Sequence, residues 1–289
     1  MNATENLISS LQAPDVDEVD MARRFGGIGR LYGPAALERF QNAHVCVIGV
    51  GGVGSWIVEA LARSAIGQLT LIDLDNVSES NINRQIMAMT GTIGMPKVDA
   101  LADRILQINP YCKLNLVEDF IGPDNVEQML GGRGFDYVID AIDSVKAKAA
   151  VIAWCRDHGM PLVTIGSAGG QTDPTKIALR DLARTEQEPL LKMVRKKLRN
   201  QYGFPRGEKH KFHIDAVFSM EPLTLPEGDG SCSIDGSLNC AGFGSSMVVT
   251  ATFGMIAAGH ALRQLAAGAT ADSTAAKADA VQLEEAALS

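Results

Sequence analysis

Along the first two-thirds of the chain, apolar positions follow two alternating rhythms. Continuous apolar runs at 44–48 (HVCVI) and 69–73 (LTLID), and within FDYVIDAID (135–143) and PLVTIGSAG (161–169), have the length of strands buried on both faces. KLNLVEDF (113–120) alternates apolar and polar positions as a strand with one solvated face does. Between these runs the period changes to the helical one, which predicts helices at 53–66, 96–108, 122–130 and 144–159. The second stops at Asn109-Pro110 and the last at Gly159. Strand, helix, strand in steady alternation predicts an α/β fold: a doubly wound, mainly parallel sheet with helices on both faces, built from right-handed crossovers.

The flanks follow other rules. Residues 1–20 are acidic, lack the basic-then-apolar order of a secretory signal, and predict a mobile leader. Residues 21–43 predict a glycine-rich turn and then a short helix started by Pro34. After Gly170 short strands mix with a charged helix, so an antiparallel and helical C-terminal extension is expected, with a loop over 223–240. The uncharged stretch 238–262 has the length of a bilayer span but no basic collar or aromatic anchors, which favours a buried or interface helix over membrane association. Residues 269–289, Ala-rich and acidic, are expected to be disordered or loosely helical. The expected organisation is one domain over 21–268, comprising a nucleotide-binding core (44–170) and a substrate-facing part (171–268).

Composition changes this picture little. The 289 residues are 46% hydrophobic and 21% charged, as in an ordinary globular enzyme, and the net charge of −8 excludes a surface that is basic throughout. Five scattered cysteines (46, 112, 155, 232 and 240) form no C-x-x-C pair, so neither a disulfide framework nor a zinc site is expected, and a reducing, cytoplasmic setting is. Cys232 and Cys240 could carry a thioester or persulfide only with a depressed pKa and access. The five histidines have no metal-ligand spacing.

The first crossover carries the chemistry. Gly49 allows a sharp turn off the strand, Gly51 and Gly52 admit a phosphate to the backbone, and Gly54 lets the helix pack close to the sheet. The helix N-terminus then offers N–H groups to an anion, and Asp73 at the end of the next strand can accept from ribose hydroxyls. This is a Rossmann-like cradle, open so far to NAD or to another nucleotide. The residues that follow, Asp75, Asn81, Arg84, Gln85 and Lys97, put two cations and two amides where a triphosphate would need them. Asp140 and Asp143 stand at the carboxyl end of a later strand, where Asp143 can hold Mg2+ or, as the simpler alternative, cap the next helix.

Taken in order, G-x-G-G-x-G at 49–54, D-x-D at 73–75, S-x-x-N-x-x-R-Q at 78–85, G-x-P-K at 94–97 and D-x-x-D at 140–143 resemble the ThiF-type adenylating family of ubiquitin-activating enzymes. The resemblance implies ATP and Mg2+ as ligands and attack of a carboxylate on the α-phosphate. It implies that Asp73 holds the ribose, that Asn81, Arg84, Gln85 and Lys97 hold the phosphates, and that Asp143 binds the metal. The family usually takes an arginine from the partner subunit of a homodimer, for which Arg24 and Arg30 are the candidates.

RFGGIGRLYG near the start, IGSAGGQTDPTKI at 165–177 and NCAGFGSSMVVTATFG at 239–254 are similar to the family's bacterial branch that acts on tRNA. That branch cyclises threonylcarbamoyladenosine beside the anticodon. Activation of a sulfur-carrier protein ending in Gly-Gly is the alternative, and a sulfur-transfer or sulfur-acceptor protein is a possible partner in either case. For a tRNA substrate the basic run 192–211 supplies a local cationic surface, with Arg195, Lys196, Lys197, Arg199, Arg206 and Lys209 as contacts. Tyr202 or Phe204 is placed to stack on an unpaired base.

Overall fold

Each apolar run forms a strand because both of its faces are covered. The computed structural model describes residues 19–207, 209–224 and 243–287, with side chains to residue 268. The parallel strands are β1 (His44–Ile48), β2 (Gln68–Ile72), β3 (Lys113–Val117), β4 (Tyr137–Asp140) and β5 (Leu162–Ile165). β6 (Ile177–Asp181) runs antiparallel to β7 (Asp215–Ser219), which is itself parallel to β5. The sheet order is β3-β2-β1-β4-β5-β7-β6. Every residue of β1, β4 and β5 is buried, whereas β3, at the sheet edge, is half-exposed along its length. This is the doubly wound sheet expected, with its antiparallel addition on the C-terminal side.

Helices cover both faces. On one side, α2 (Pro34–Asn42), α3 (Gly54–Arg63), α4 (Lys97–Ile108) and α8 (Met247–Ala287) bury Phe40, Ile57, Leu61, Leu101 and Phe253 in one cluster. On the other, α6 (Val145–Asp157) and α7 (Pro189–Gln201), with the short α5 (Val126–Leu130) beside α6, bury Val151, Leu191 and Leu198 against Phe218 of β7. Across α3 and α4, the buried Glu59 carboxylate joins Arg63 and Arg104, each at 2.6 Å. Burial alone would raise the Glu59 pKa, but the two guanidiniums outweigh it and hold it below the usual range.

One expectation at the flanks is corrected. The glycine-rich stretch is not a turn: α1 (Met21–Tyr32) runs through Gly26, Gly27 and Gly29 as a helix capped by Asp20 and ends at Gly33, whose φ is +94°. Each interior glycine costs about 1 kcal/mol of helix propensity. Close packing is the compensation at Gly29, where a Cβ would lie 3.1 Å from Leu37 of α2. The apolar C-terminal stretch behaves as the buried helix expected over its described part. Its described part lies against α2 and α3, burying Val249, Phe253, Ala257, Ala261 and Leu262. Among the described residues no helix is long and apolar enough to cross a membrane. The helix also continues into the Ala-rich tail, while most of the stretch 223–240, expected to be a loop, and with it Cys232 and Cys240, lies outside the described residues.

The α8–α3 contact is close enough to test. A Cβ at Gly254 would sit 2.8 Å from the Val53 carbonyl oxygen and 2.9 Å from Trp56 Cβ. Gly254→Val is therefore expected to destabilise the fold by about 1–3 kcal/mol through overpacking, read as a lower urea midpoint. A midpoint equal to that of the parent would contradict this packing.

Candidate active site

Strand order reverses at β1, whose neighbours are β2 on one side and β4 on the other, so a crevice opens outside the carboxyl ends of β1 and β4. Two turns cross there. Gly49 leaves β1 with φ +81°, and a Cβ on it would stand 2.9 Å from the Ala141 carbonyl oxygen in the turn after β4. At Gly54 a Cβ would lie 1.9 Å from the Gly49 carbonyl oxygen. No residue with a side chain fits either position. The crossing bounds a cleft of about 550 Å3, into which the N-terminus of α3 opens without a side-chain cap.

Nine of the ten nucleotide-site residues expected from sequence, all but Gly54, line this cleft together with Asp143. Asp73 accepts the Val50 N–H (2.8 Å) and the Asp75 N–H (3.0 Å), which ties β2 to the glycine loop. Lys97, buried at the start of α4, places its Nζ 2.6 Å from Asp75 and 3.9 Å from Asp73. Asn81 is buried and accepts the Ser78 N–H (3.0 Å), shaping the turn that delivers Arg84. The Arg84 stem crosses Gly52, where a Cβ would lie 3.3 Å from it. Its guanidinium donates to the Ser80 carbonyl (2.8 Å) and to Asn83 Oδ1 (3.0 Å), and has no carboxylate partner among the described residues. Beside Gly51, Gln85 is 5% exposed and its Oε1 is buried without a hydrogen-bond partner among the described residues. The walls thus offer unspent backbone donors and a cation to a ligand rich in acceptors, and one unpartnered amide oxygen, that of Gln85, to a donor.

The two acids after β4 separate into different roles. Ser144, not Asp143, caps α6, and Asp143 is exposed in the cleft with no ion pair among the described residues. Asp140 is turned into the protein: it meets Lys148 Nζ at 2.9 Å and the Thr164 hydroxyl at 2.7 Å, both charged groups being fully buried. Glu188 lies nearby, capping α7 through the Leu191 N–H and accepting the Ser167 N–H (2.9 Å). Burial raises its pKa against the opposing pull of those N–H donors and of Lys148. Burial likewise pushes the Cys46, Cys112 and Cys155 thiols up, Cys112 to about 12, so none of the three is a thiolate at neutral pH.

Other expected residues lie elsewhere. The Arg24 guanidinium donates to the Gln107 (3.3 Å) and Ile108 (2.8 Å) carbonyls at the end of α4, and Arg30 is exposed on α1. The basic residues lie on α7 and the segment after it, away from the glycine loop. One aromatic is corrected: Phe204 is buried, 4.9 Å from the Phe212 ring and 4.0 Å from the Arg156 guanidinium carbon, so it has no face free for a base. Tyr202 is half-buried beside it.

Sequence reasoning missed the far wall of the cleft, Gly166 to Gly169 after β5 and Ser245 and Thr250 at the start of α8. The small-residue run GSAGG at a strand's carboxyl end was the available signal for the first. Nothing local announces the second.

Comparison with known proteins agrees with this geometry. The ThiF family model matches residues 27–286. The tRNA threonylcarbamoyladenosine dehydratase of Haemophilus influenzae is 54% identical over 244 residues, covering 84% of this chain and 93% of that protein. The Escherichia coli enzyme of the same name is 50% identical over 255 residues, 86% and 95% of the two chains. A crystal structure of the E. coli dehydratase in complex with ATP superposes with a TM-score of 0.79 at 49% identity, covering 86% of this chain and 96% of that one.

The buried pair under the cleft yields a stability test. Asp140→Ala leaves the Lys148 ammonium buried without its carboxylate, for an expected loss of about 3–5 kcal/mol. Denaturant unfolding measures it; a loss below about 1 kcal/mol would mean that the pair is hydrated and not buried as found.

Proposed function

The chain belongs to the ThiF family, and on that footing we propose that it is an ATP-dependent enzyme that dehydrates threonylcarbamoyladenosine in tRNA by adenylating its carboxylate. The observation that carries this reading is the cleft at the strand-order reversal, where the glycine loop, Arg84, Lys97 and Asp143 face one space. High identity over most of the length of dehydratases from two bacteria supports the substrate.

The residues divide the work. Gly51, Gly52 and the open N-terminus of α3 receive the phosphates, and Asp73, already oriented by two backbone N–H groups, takes the ribose hydroxyls. Asn81 and Gln85 hydrogen-bond the triphosphate. Arg84 and Lys97 neutralise the pyrophosphate as it departs, and Arg84 brings more net charge because Asp75 and Asp73 partly offset Lys97.

Among the described residues no group of three or more His, Cys, Asp or Glu side chains could hold a metal unaided. A lone exposed carboxylate such as Asp143 fits magnesium, which binds through one or two carboxylates plus substrate phosphates. Held there, Mg2+ would supply further charge neutralisation to the phosphates.

A carboxylate oxygen of the threonyl group displaces pyrophosphate from the α-phosphorus. An atom of the adjacent carbamoyl group then attacks the acyl carbon and expels AMP, which carries away the oxygen lost in dehydration. The attacker is already tethered, so the protein needs to orient it and exclude water.

An arginine from a second copy completes the site in a homodimer. Arg30 is the better placed of the two candidates, because Arg24 already caps α4 in its own protomer. Within residues 171–268, the basic residues of α7 and the segment after it face the tRNA, and the reaction belongs in the cytoplasm, where tRNA and ATP meet.

Incubating the protein with MgATP and tRNA carrying threonylcarbamoyladenosine should release AMP and pyrophosphate, with nucleoside mass analysis showing loss of one water. Arg84→Ala, Lys97→Ala and Asp143→Ala should each lower kcat by about 10²–10³-fold. Full conversion by these variants would remove the assigned roles. Adenylation of a Gly-Gly-ending carrier protein with no tRNA turnover would replace the substrate.

A further inference from the structure

The basic segment holds two kinds of cation. Its lysines are solvated: Lys196 and Lys209 are exposed and Lys197 is half-exposed. The arginines converge instead. Arg184, in the short turn after β6, joins Arg195 and Arg199 of α7 and Arg206 beyond it around a cavity of about 420 Å3, whose remaining lining is Ala183 and Gly207.

None of the four guanidiniums has an ion pair among the described residues. Their bonds go to neutral acceptors: Arg195 to the Thr185 hydroxyl, Arg199 to the Pro205 carbonyl (3.3 Å) and Arg206 to Asn200 Oδ1 (2.8 Å). Arg199 also lies over the Phe212 ring, 5.1 Å from its centroid. Elsewhere the chain pairs arginines with carboxylates, as at Arg39–Asp136, Arg63–Glu59, Arg104–Glu59 and Arg180–Glu186. In a chain of net charge −8, four guanidiniums around one space with no ion pair among the described residues are a concentration of like charge that an anion would relieve. Arg195 feels this directly: burial, and then Arg199, lower its pKa against the opposing pull of the Glu188 carboxylate.

The cavity is linked to the active site through α7. Leu190, in the first turn of α7, lines the nucleotide cleft, and Glu188 caps the helix while accepting the N–H of the cleft residue Ser167. At 1.5 Å per residue Arg195 stands about 10 Å along the axis from that cap and Arg199 about 16 Å.

We propose that Arg184, Arg195, Arg199 and Arg206 clamp a backbone phosphate of the substrate RNA, so that α7 sets the distance between that phosphate and the nucleotide presented to the cleft. The clamp rests on the reading of the substrate as tRNA and adds to it a specific phosphate site and a residue, Arg184, outside the basic run. RNA is favoured over a lipid headgroup because the cavity is tied to an adenylating cleft, and no apolar anchor is exposed among its lining residues. Planar forks that present two N–H groups to one oxyanion suit such a site, whereas the lysines contribute the diffuse attraction common to any polyanion.

The test uses the full chain with tRNA carrying threonylcarbamoyladenosine. Arg184 and Arg206 are exposed, so Arg184→Ala, Arg206→Ala and the double variant remove charge without opening the core. Lys113→Ala at the far sheet edge is the charge-matched control. The double variant should raise the tRNA Kd by about tenfold or more and flatten the slope of log affinity against log salt by about 1–2, with the ATP Kd unchanged. Arg184→Lys should recover only part of the Arg184→Ala loss, and Lys113→Ala should stay within about twofold of the parent.

Parent-like tRNA affinity and salt slope in the double variant would overturn the clamp while leaving tRNA conversion by the parent intact. An equal loss in Lys113→Ala would overturn it in favour of undirected charge. Binding of the parent to phosphatidylglycerol vesicles that the double variant loses, with tRNA affinity unchanged, would assign the cavity to lipid phosphate and overturn the RNA proposal. Failure of the parent itself to bind or convert the tRNA would remove the substrate reading and the clamp together.

Discussion

Two backbone turns, one leaving β1 and one leaving β4, cross with no space for a side chain between them, and the functional end of the molecule is organised by that crossing. Gly49 meets the Ala141 carbonyl, and Gly54 meets the Gly49 carbonyl. The tight first turn brings the Val50 N–H onto Asp73 and leaves the start of α3 facing open space. The second turn lifts Asp143 to the same rim. Wherever an open α/β sheet reverses strand order a crevice forms; here glycine makes the walls thin enough for backbone to reach a phosphate.

Charge is distributed against the chain's average. An acidic protein gathers cations in two places, at Arg84 and Lys97 in the cleft and at the arginines around α7. Beneath the cleft, Asp140 and Lys148 neutralise each other in full burial, joined by Thr164. That pair links the end of β4 to α6 and β5 without placing net charge under the nucleotide site. α7 then joins the two cationic regions, because its cap, Glu188, touches the cleft wall and its exposed face carries the arginines.

Much of this was legible in the sequence where local rules coincide. Strands β1 to β5 follow from continuous or alternating apolar runs, and the cleft residues from motifs placed at strand ends. Legibility failed where tertiary packing decides. The glycines of α1 read as a turn, yet all three lie in a helix, where Gly29 packs closely against Leu37 of α2. Phe204 read as an exposed stacking platform, but Phe212 from the same segment and Arg156 from the distant α6 enclose it. The roles of Asp140 and Asp143 could not be told apart by spacing, since which one turns inward depends on Lys148 and Thr164 meeting it from α6 and β5. Arg184 carries no motif, and only the fold brings it beside α7.

The central claim is that the cleft joins a substrate carboxylate to the α-phosphate of ATP. It is tested most directly by labelling the threonyl carboxylate of the tRNA-borne nucleoside with oxygen-18 and measuring the mass of the nucleotide released by the full-length protein. The account predicts AMP that has gained one labelled oxygen for each ring closed, together with unlabelled pyrophosphate. Release of ADP, or of AMP without the label while the nucleoside is dehydrated, would contradict it.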